Sequence, residues 1–113
     1  GTTEAGNLFG KVASAYALIE PGPPALCHND LVCQNVLEGK ELTLIDWEYS
    51  GMGDPFFDLA VVVQHHELED RLAQHFLAAY LQREPVEKDT ARLSKQRRFY
   101  AALLKLWKMR VTV

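Results

Sequence analysis

The sequence of 113 residues predicts an α+β fold that is mainly helical and contains one short β-hairpin. Apolar residues recur at helical spacing near the amino end and through most of the second half. Two short apolar runs separated by Gly39-Lys40 are typical of paired strands. Because 48% of the residues are hydrophobic and 24% are charged, we expect a folded chain that forms a single lobe over residues 1–113.

The composition also limits where the chain can act. No run of about eighteen apolar residues occurs, so the sequence predicts no membrane partner. No leader with a basic and then an apolar region is visible. Cys27 and Cys33 do not have the spacing of a metal or redox pair, so free thiols in the cytoplasm are expected.

The first two elements are a helix and a strand. A helix is predicted over residues 6–19, where apolar side chains recur at helical spacing: Leu8, Val12, Ala15, Tyr16 and Ile19. Pro21-Gly22-Pro23-Pro24 ends this helix. A short buried strand over residues 25–27 then leads to His28.

A hairpin is predicted next, with strands over residues 35–38 and 41–45. The residues at the two ends of the hairpin indicate its role in the site. Asn35 begins one strand and Asp46 follows the other, so pairing of the strands brings these two side chains together.

Three helices are predicted after a flexible loop over residues 50–55. Asp54 with Pro55 begins the first, which is apolar through Val63. The others are predicted over residues 68–82 and 89–110. Three histidines near the first two helices are expected to be solvated rather than metal ligands: His65, His66 and His75.

The residues with the clearest chemistry are Asp30, Asn35 and Asp46. Asp30 lies in a loop after an apolar strand, Asn35 follows five positions later, and Asp46 ends the next strand. This set suits phosphoryl transfer, which needs a carboxylate to accept the proton of a hydroxyl group and oxygen ligands for Mg²⁺. We interpret Asp30 as the catalytic base, and Asn35 and Asp46 as the metal ligands.

The motif His28-Asn29-Asp30 with Asn35 has the spacing of eukaryotic protein kinases, but Trp47-Glu48 stands where those enzymes have Phe-Gly. Together with the segment Asp54-Pro55-Phe56-Phe57-Asp58-Leu59-Ala60, it resembles the aminoglycoside phosphotransferase and choline kinase superfamily. The choline, ethanolamine and thiamine kinase branches are the most similar. The resemblance covers roughly residues 6–110.

This resemblance implies the C-terminal lobe of the protein kinase-like fold, with ATP and Mg²⁺ as cofactors and a small-molecule hydroxyl group as acceptor. In the family an N-terminal lobe binds ATP, and its Gly-rich and strand-lysine motifs do not occur in this sequence. The chain is therefore expected to be a fragment whose partner is the missing lobe, and to be inactive alone.

Two further residues are predicted to support the site. By the resemblance, His28 supports the loop through a backbone contact or a contact with Asp46. Asp58 lies in an otherwise apolar helix, and a buried carboxylate needs partners. We therefore expect Asp58 to cap or tether the catalytic loop.

Four residues are candidates for contact with the substrate: Glu48, Tyr49, Tyr100 and Trp107. Glu48 is two positions beyond Asp46, so both carboxylates face the same side of an extended segment. The three aromatic residues could bind a quaternary ammonium by cation–π attraction. A surface position for Glu48, and core packing for Tyr100 and Trp107, remain the alternatives.

Charge is distributed unevenly along the chain. Residues 91–113 contain seven basic residues and no acidic residue, whereas residues 1–90 contain all 15 acidic residues. The basic residues alternate with apolar ones, which indicates an amphipathic helix with a solvated basic face. Since no base-reading motif accompanies them, no nucleic-acid partner is expected.

Two other functions remain open. An aminoglycoside acceptor is compatible with the acidic body of the chain. Alternatively, a non-enzymatic, pseudokinase-like lobe would bind a ligand or partner, and its exposed lobe interface would favour self-association.

Overall fold

A computed structural model of the chain describes residues 2–20, 22–29, 31–32, 36–38, 42–44 and 50–112. The architecture is mainly helical, with four helices and four short strands in these residues, which confirms the predicted fold class. In chain order the elements are α1 (Thr2–Ala17), β1 (Ala25–Cys27), β2 (Val36–Glu38), β3 (Leu42–Leu44), β4 (Gly51–Gly53), α2 (Pro55–His65), α3 (Asp70–Leu81) and α4 (Glu87–Thr112).

The predicted hairpin is confirmed. Strands β2 and β3 are antiparallel, and Val36 lies opposite Leu44 while Glu38 lies opposite Leu42. The register therefore brings the first residue of β2 beside the last residue of β3.

The prediction of a flexible loop over residues 50–55 is wrong. Residues 51–53 form β4, which pairs antiparallel with β1, so that Ala25 lies opposite Gly53 and Cys27 lies opposite Gly51. A Gly-Met-Gly segment lacks the β-branched and aromatic residues that identify a strand in sequence. Its extended conformation depends on a partner that is distant in the chain. This pairing joins the strand before His28 to the start of α2.

Helix α2 begins at Pro55, as predicted. Asp54 caps it, because its carboxylate accepts a hydrogen bond of 3.0 Å from the backbone N–H of Phe56. Pro55 occupies the first helical position, where its missing N–H costs nothing. Helix α4 begins two positions earlier than predicted. Asp89 accepts a bond of 2.9 Å from the N–H of Val86 and forms an ion pair with Arg83, which together fix the first turn.

The core lies between α2 and the helices around it. One buried cluster joins side chains of α2, α3 and α4: Phe56, Leu59, Ala60, Leu77 and Leu93. A second joins the segment after β1 to α2 and α4: Leu31, Val61 and Tyr100. Over the described part of the chain, no helix combines the length and the apolar character needed to cross a membrane.

Candidate functional site

The loop that begins at His28 is attached to α2 by one carboxylate. Oδ2 of Asp58 accepts a hydrogen bond of 2.7 Å from the backbone N–H of His28, and Oδ1 accepts one of 2.8 Å from the N–H of Asn29. Asp58 lies in the first turn of α2, where a negative charge is also stabilised by the helix dipole. Both oxygens of a single acidic side chain thus fix two consecutive peptide groups.

Asn29 has a left-handed backbone conformation, with φ of 68°. Asn adopts this region more readily than most residues, since its short polar side chain can bond locally. The chain direction therefore changes sharply at the residue that immediately precedes Asp30 in the sequence.

The start of the loop is buried. The side chains of Cys27 and His28 are almost inaccessible to solvent. Burial, reinforced by the negative charges of Asp58 and Asp54, raises the pKa of the Cys27 thiol, so Cys27 remains a neutral thiol at physiological pH. Cys27 is a free cysteine, as expected.

The three residues predicted to carry the chemistry lie outside the described residues: Asp30, Asn35 and Asp46. The same is true of two candidate substrate residues, Glu48 and Tyr49. Among the residues that are described, no group of three His, Cys, Asp or Glu side chains could hold a metal ion. Of the predicted site, the described residues thus include the start of the loop and the two strands of the hairpin.

An open groove of about 1180 Å³ lies beside this loop and is lined by residues of α1, α2 and α4 and by the last residue of β4. Its lining includes Asn29 from the loop and Trp107 from α4. Three of its aromatic rings are close neighbours, since the ring centre of Phe99 is 5.4 Å from that of Tyr16 and 6.1 Å from that of Phe57. Two carboxylates, those of Glu20 and Asp54, also line it.

Tyr100 and Trp107 are both candidates for contact with the substrate by sequence, but they lie in different environments in the structure. Trp107 lines the groove and is 45% exposed, whereas Tyr100 is only 2% exposed and packs against α2. The Tyr100 hydroxyl is hydrogen-bonded to the imidazole of His65, which is half-buried rather than solvated as predicted. Tyr100 is therefore a core residue, which is the alternative that the sequence left open for it.

Sequence reasoning missed most of the groove. The face of α4 that reaches it consists of residues spaced three or four apart: Gln96, Phe99, Leu103 and Trp107. This spacing is visible in the sequence, but Tyr100, seven positions before Trp107, fits helical spacing as well as Phe99 does. The contributions of Tyr16 and Phe57 depend on how α1 and α2 pack against α4.

The structure is therefore a helical lobe with a small hairpin, whose helix α2 holds His28 and Asn29 beside an aromatic groove. The chain belongs to the phosphotransferase enzyme family APH, whose family model matches residues 8–108. This confirms the resemblance that the sequence motifs carry.

Individual relatives agree with the family. The chain is 46% identical to the protein LicA of Haemophilus influenzae over 55 residues, which are 48% of this chain and 21% of LicA. It is 53% identical to choline kinase B1 of Caenorhabditis elegans over 38 residues, which are 31% of this chain and 10% of that protein.

Two solved structures share the fold. A choline/ethanolamine kinase family protein from Mesorhizobium loti is 31% identical, with a TM-score of 0.76, over 93% of this chain and 36% of that one. The choline kinase LicA from Streptococcus pneumoniae is 26% identical, with a TM-score of 0.63, over 89% of this chain and 45% of that one. The chain thus spans less than half the length of these relatives.

Proposed function

We propose that this chain is the catalytic lobe of an ATP-dependent phosphotransferase that phosphorylates the hydroxyl group of choline, ethanolamine or a thiamine-like molecule in the cytoplasm. The observation that carries the proposal is the position of Asn29. Its N–H is fixed by Asp58, the residue lines the aromatic groove, and it directly precedes Asp30 in the sequence. A base at Asp30 would therefore follow a rigid attachment at the edge of an acceptor site.

The proposed catalytic base is Asp30, which would accept the proton of the acceptor hydroxyl group. Asn35 and Asp46 would hold Mg²⁺, since amide and carboxylate oxygens suit this hard cation. Val36 and Leu44 lie opposite each other in the hairpin. Asn35 directly precedes Val36 in the sequence and Asp46 closely follows Leu44, so the register supports Asn35 and Asp46 as ligands of one metal ion. Mg²⁺–ATP, when bound, supplies the phosphoryl group. One solved structure with this fold is LicA in complex with AMP.

Asp58 and His28 are proposed as supports of the base. The two hydrogen bonds to Asp58 fix the peptide groups just before Asp30, and the buried side chain of His28 anchors the same segment in the interior. Fixed geometry matters here because phosphoryl transfer depends mainly on positioning and electrostatics.

The chemistry of the groove supports a cationic acceptor. Aromatic faces attract ammonium groups, and the groove combines four aromatic side chains with carboxylates: Tyr16, Phe57, Phe99 and Trp107, with Glu20 and Asp54. Asp54 already pairs with Arg92, which leaves Glu20 as the described carboxylate for a ligand. A single carboxylate suits a single ammonium better than an aminoglycoside polycation. Glu48 and Tyr49 remain proposed contacts of the metal or the acceptor.

Calorimetric titration with choline, ethanolamine and thiamine tests the acceptor site. Replacing Trp107 with Leu should weaken binding of the preferred acceptor about tenfold, because one aromatic face is lost at a partly desolvated site. Tyr80→Leu is the matched control, since Tyr80 is 46% exposed but does not line the groove. Equal affinity for the Trp107→Leu variant and the parent chain would contradict this acceptor site.

For the 113 residues alone we propose little or no turnover of ATP, because the sequence contains no loop motif for the nucleotide phosphates. The partner needed for activity would be an N-terminal nucleotide-binding lobe. Rapid phosphorylation of choline by the chain alone would refute this part of the proposal. Acceptor and nucleotide binding without any transfer, even with that lobe present, would favour a pseudokinase-like lobe.

A further inference from the structure

We propose that Arg92, assisted by Gln96, is a positioning residue for the catalytic loop. It acts from α4 by fixing Asp54, which sets the start of α2 and thereby the position of Asp58 against the loop. The catalytic role of Arg92 rests on the proposed function, whereas its coupling to the loop rests on the contacts between these residues alone.

Asp54 receives three hydrogen bonds from described residues. Oδ1 accepts one of 2.7 Å from Nη2 of Arg92 and one of 3.0 Å from the N–H of Phe56, while Oδ2 accepts one of 2.7 Å from Nε2 of Gln96. An N-cap needs only the bond within its own helix. The two bonds from α4 go beyond capping and fix both carboxylate oxygens to a second helix.

The Arg92 side chain is itself held on two sides. Its guanidinium carbon lies 4.1 Å from the centre of the Phe56 ring, in a cation–π contact. On another side it approaches Gly22 so closely that a Cβ there would lie 2.8 Å from Nη2. A planar guanidinium fits this space between a ring and a backbone, and Lys would lose the flat contact.

The buried side chain of Gln96 is likewise directed to Asp54. Its side chain is 3% exposed, and its Oε1 atom has no hydrogen-bond partner among the described residues. Burying an amide in this state costs free energy, so the bond from its Nε2 atom to Asp54 is the evident role of this side chain.

Two routes connect Asp54 with the loop. Asp58 is four residues further along α2, so the two carboxylates lie on one side of the helix, one turn apart. Asp54 also follows β4 directly, and β4 pairs with β1, the strand that leads into His28. Loss of the α4 contacts would therefore loosen the loop through the helix and through the strand pair.

Hydrogen exchange of individual backbone amides tests the coupling in the 113-residue chain. Arg92→Met keeps the apolar stem on Phe56 and removes the charge, so the amides of His28 and Asn29 should exchange about tenfold faster, as expected for loss of one charge-assisted bond. Amides in the core of α2 and α3, such as those of Val61 and Leu77, should keep their protection. Arg92→Lys should restore part of the protection at the loop.

Asp54→Asn is a second variant that retains an N-cap side chain but loses the ion pair, and it should produce the same local acceleration. Arg98→Met is the matched control on the exposed face of α4 and should change nothing. Uniform acceleration of loop and core amides would show a merely structural role and overturn the proposal, as would unchanged exchange at His28 and Asn29. Since this readout does not use activity, failure of acceptor binding would reject the proposed function and leave the coupling intact.

Discussion

Replacing Asp58 with Asn is expected to lower the free energy of unfolding by about 2–3 kcal/mol, the usual cost of losing a hydrogen bond to a charged partner in a half-buried site. The amide side chain has one acceptor oxygen where the carboxylate has two. The N–H groups of His28 and Asn29 both point at this side chain, so one of them would face an NH₂ group instead of an oxygen. Urea denaturation measures the loss.

Asp70→Asn provides the control for this variant. Asp70 is an exposed acid in the first turn of α3, as Asp58 is a half-buried one in the first turn of α2. We expect the control to change stability by less than about 0.5 kcal/mol. If Asp58→Asn costs no more than Asp70→Asn, the two bonds to the loop do not stabilise the fold.

Replacing Phe56 with Ala is expected to cost about 3–5 kcal/mol, in the range for removal of a large aromatic side chain from a packed core. Phe56 is 2% exposed and packs against Leu59, Leu77 and Leu93. Its ring also supports the guanidinium of Arg92, so the variant removes a cation–π contact besides creating a cavity. Thermal or urea unfolding measures the effect.

Leu72→Ala on the exposed face of α3 is the comparison, since half of the Leu72 surface is already in solvent. It should cost less than about 1 kcal/mol. A Phe56→Ala variant with the stability of Leu72→Ala would mean that the α2–α3–α4 cluster is not the main core of the lobe.

The helices and the hairpin could be predicted because their signals are local. Proline and glycine residues mark the ends, the Asp54-Pro55 pair marks the start of α2, and apolar spacing marks the faces. The pairing of β1 with β4 could not be predicted in this way. Its residues are far apart in the chain, and Gly51 and Gly53 carry no side chains that favour a strand.

The candidate site likewise combines residues that local sequence signals identify with residues that they do not. A carboxylate inside an apolar helix is a local signal, and the sequence alone therefore identifies Asp58 as a residue that needs partners. The groove lacks such a signal, because neighbouring residues of a helix point about 100° apart. Whether Phe99 or Tyr100 reaches the groove depends on the rotation of α4, which its packing against α1 and α2 decides.

Calorimetric titration of the chain with Mg²⁺–ATP at millimolar concentration, with the Asp46→Ala variant as control, addresses the proposed phosphotransferase site most directly. We predict measurable heat of binding for the parent chain and its loss in Asp46→Ala, because Asp46 is the proposed carboxylate ligand of the metal that accompanies the nucleotide. Equal heat in both proteins would contradict a phosphotransferase site built on Asp30, Asn35 and Asp46, and so would absence of heat in both when the N-terminal nucleotide-binding lobe is also present.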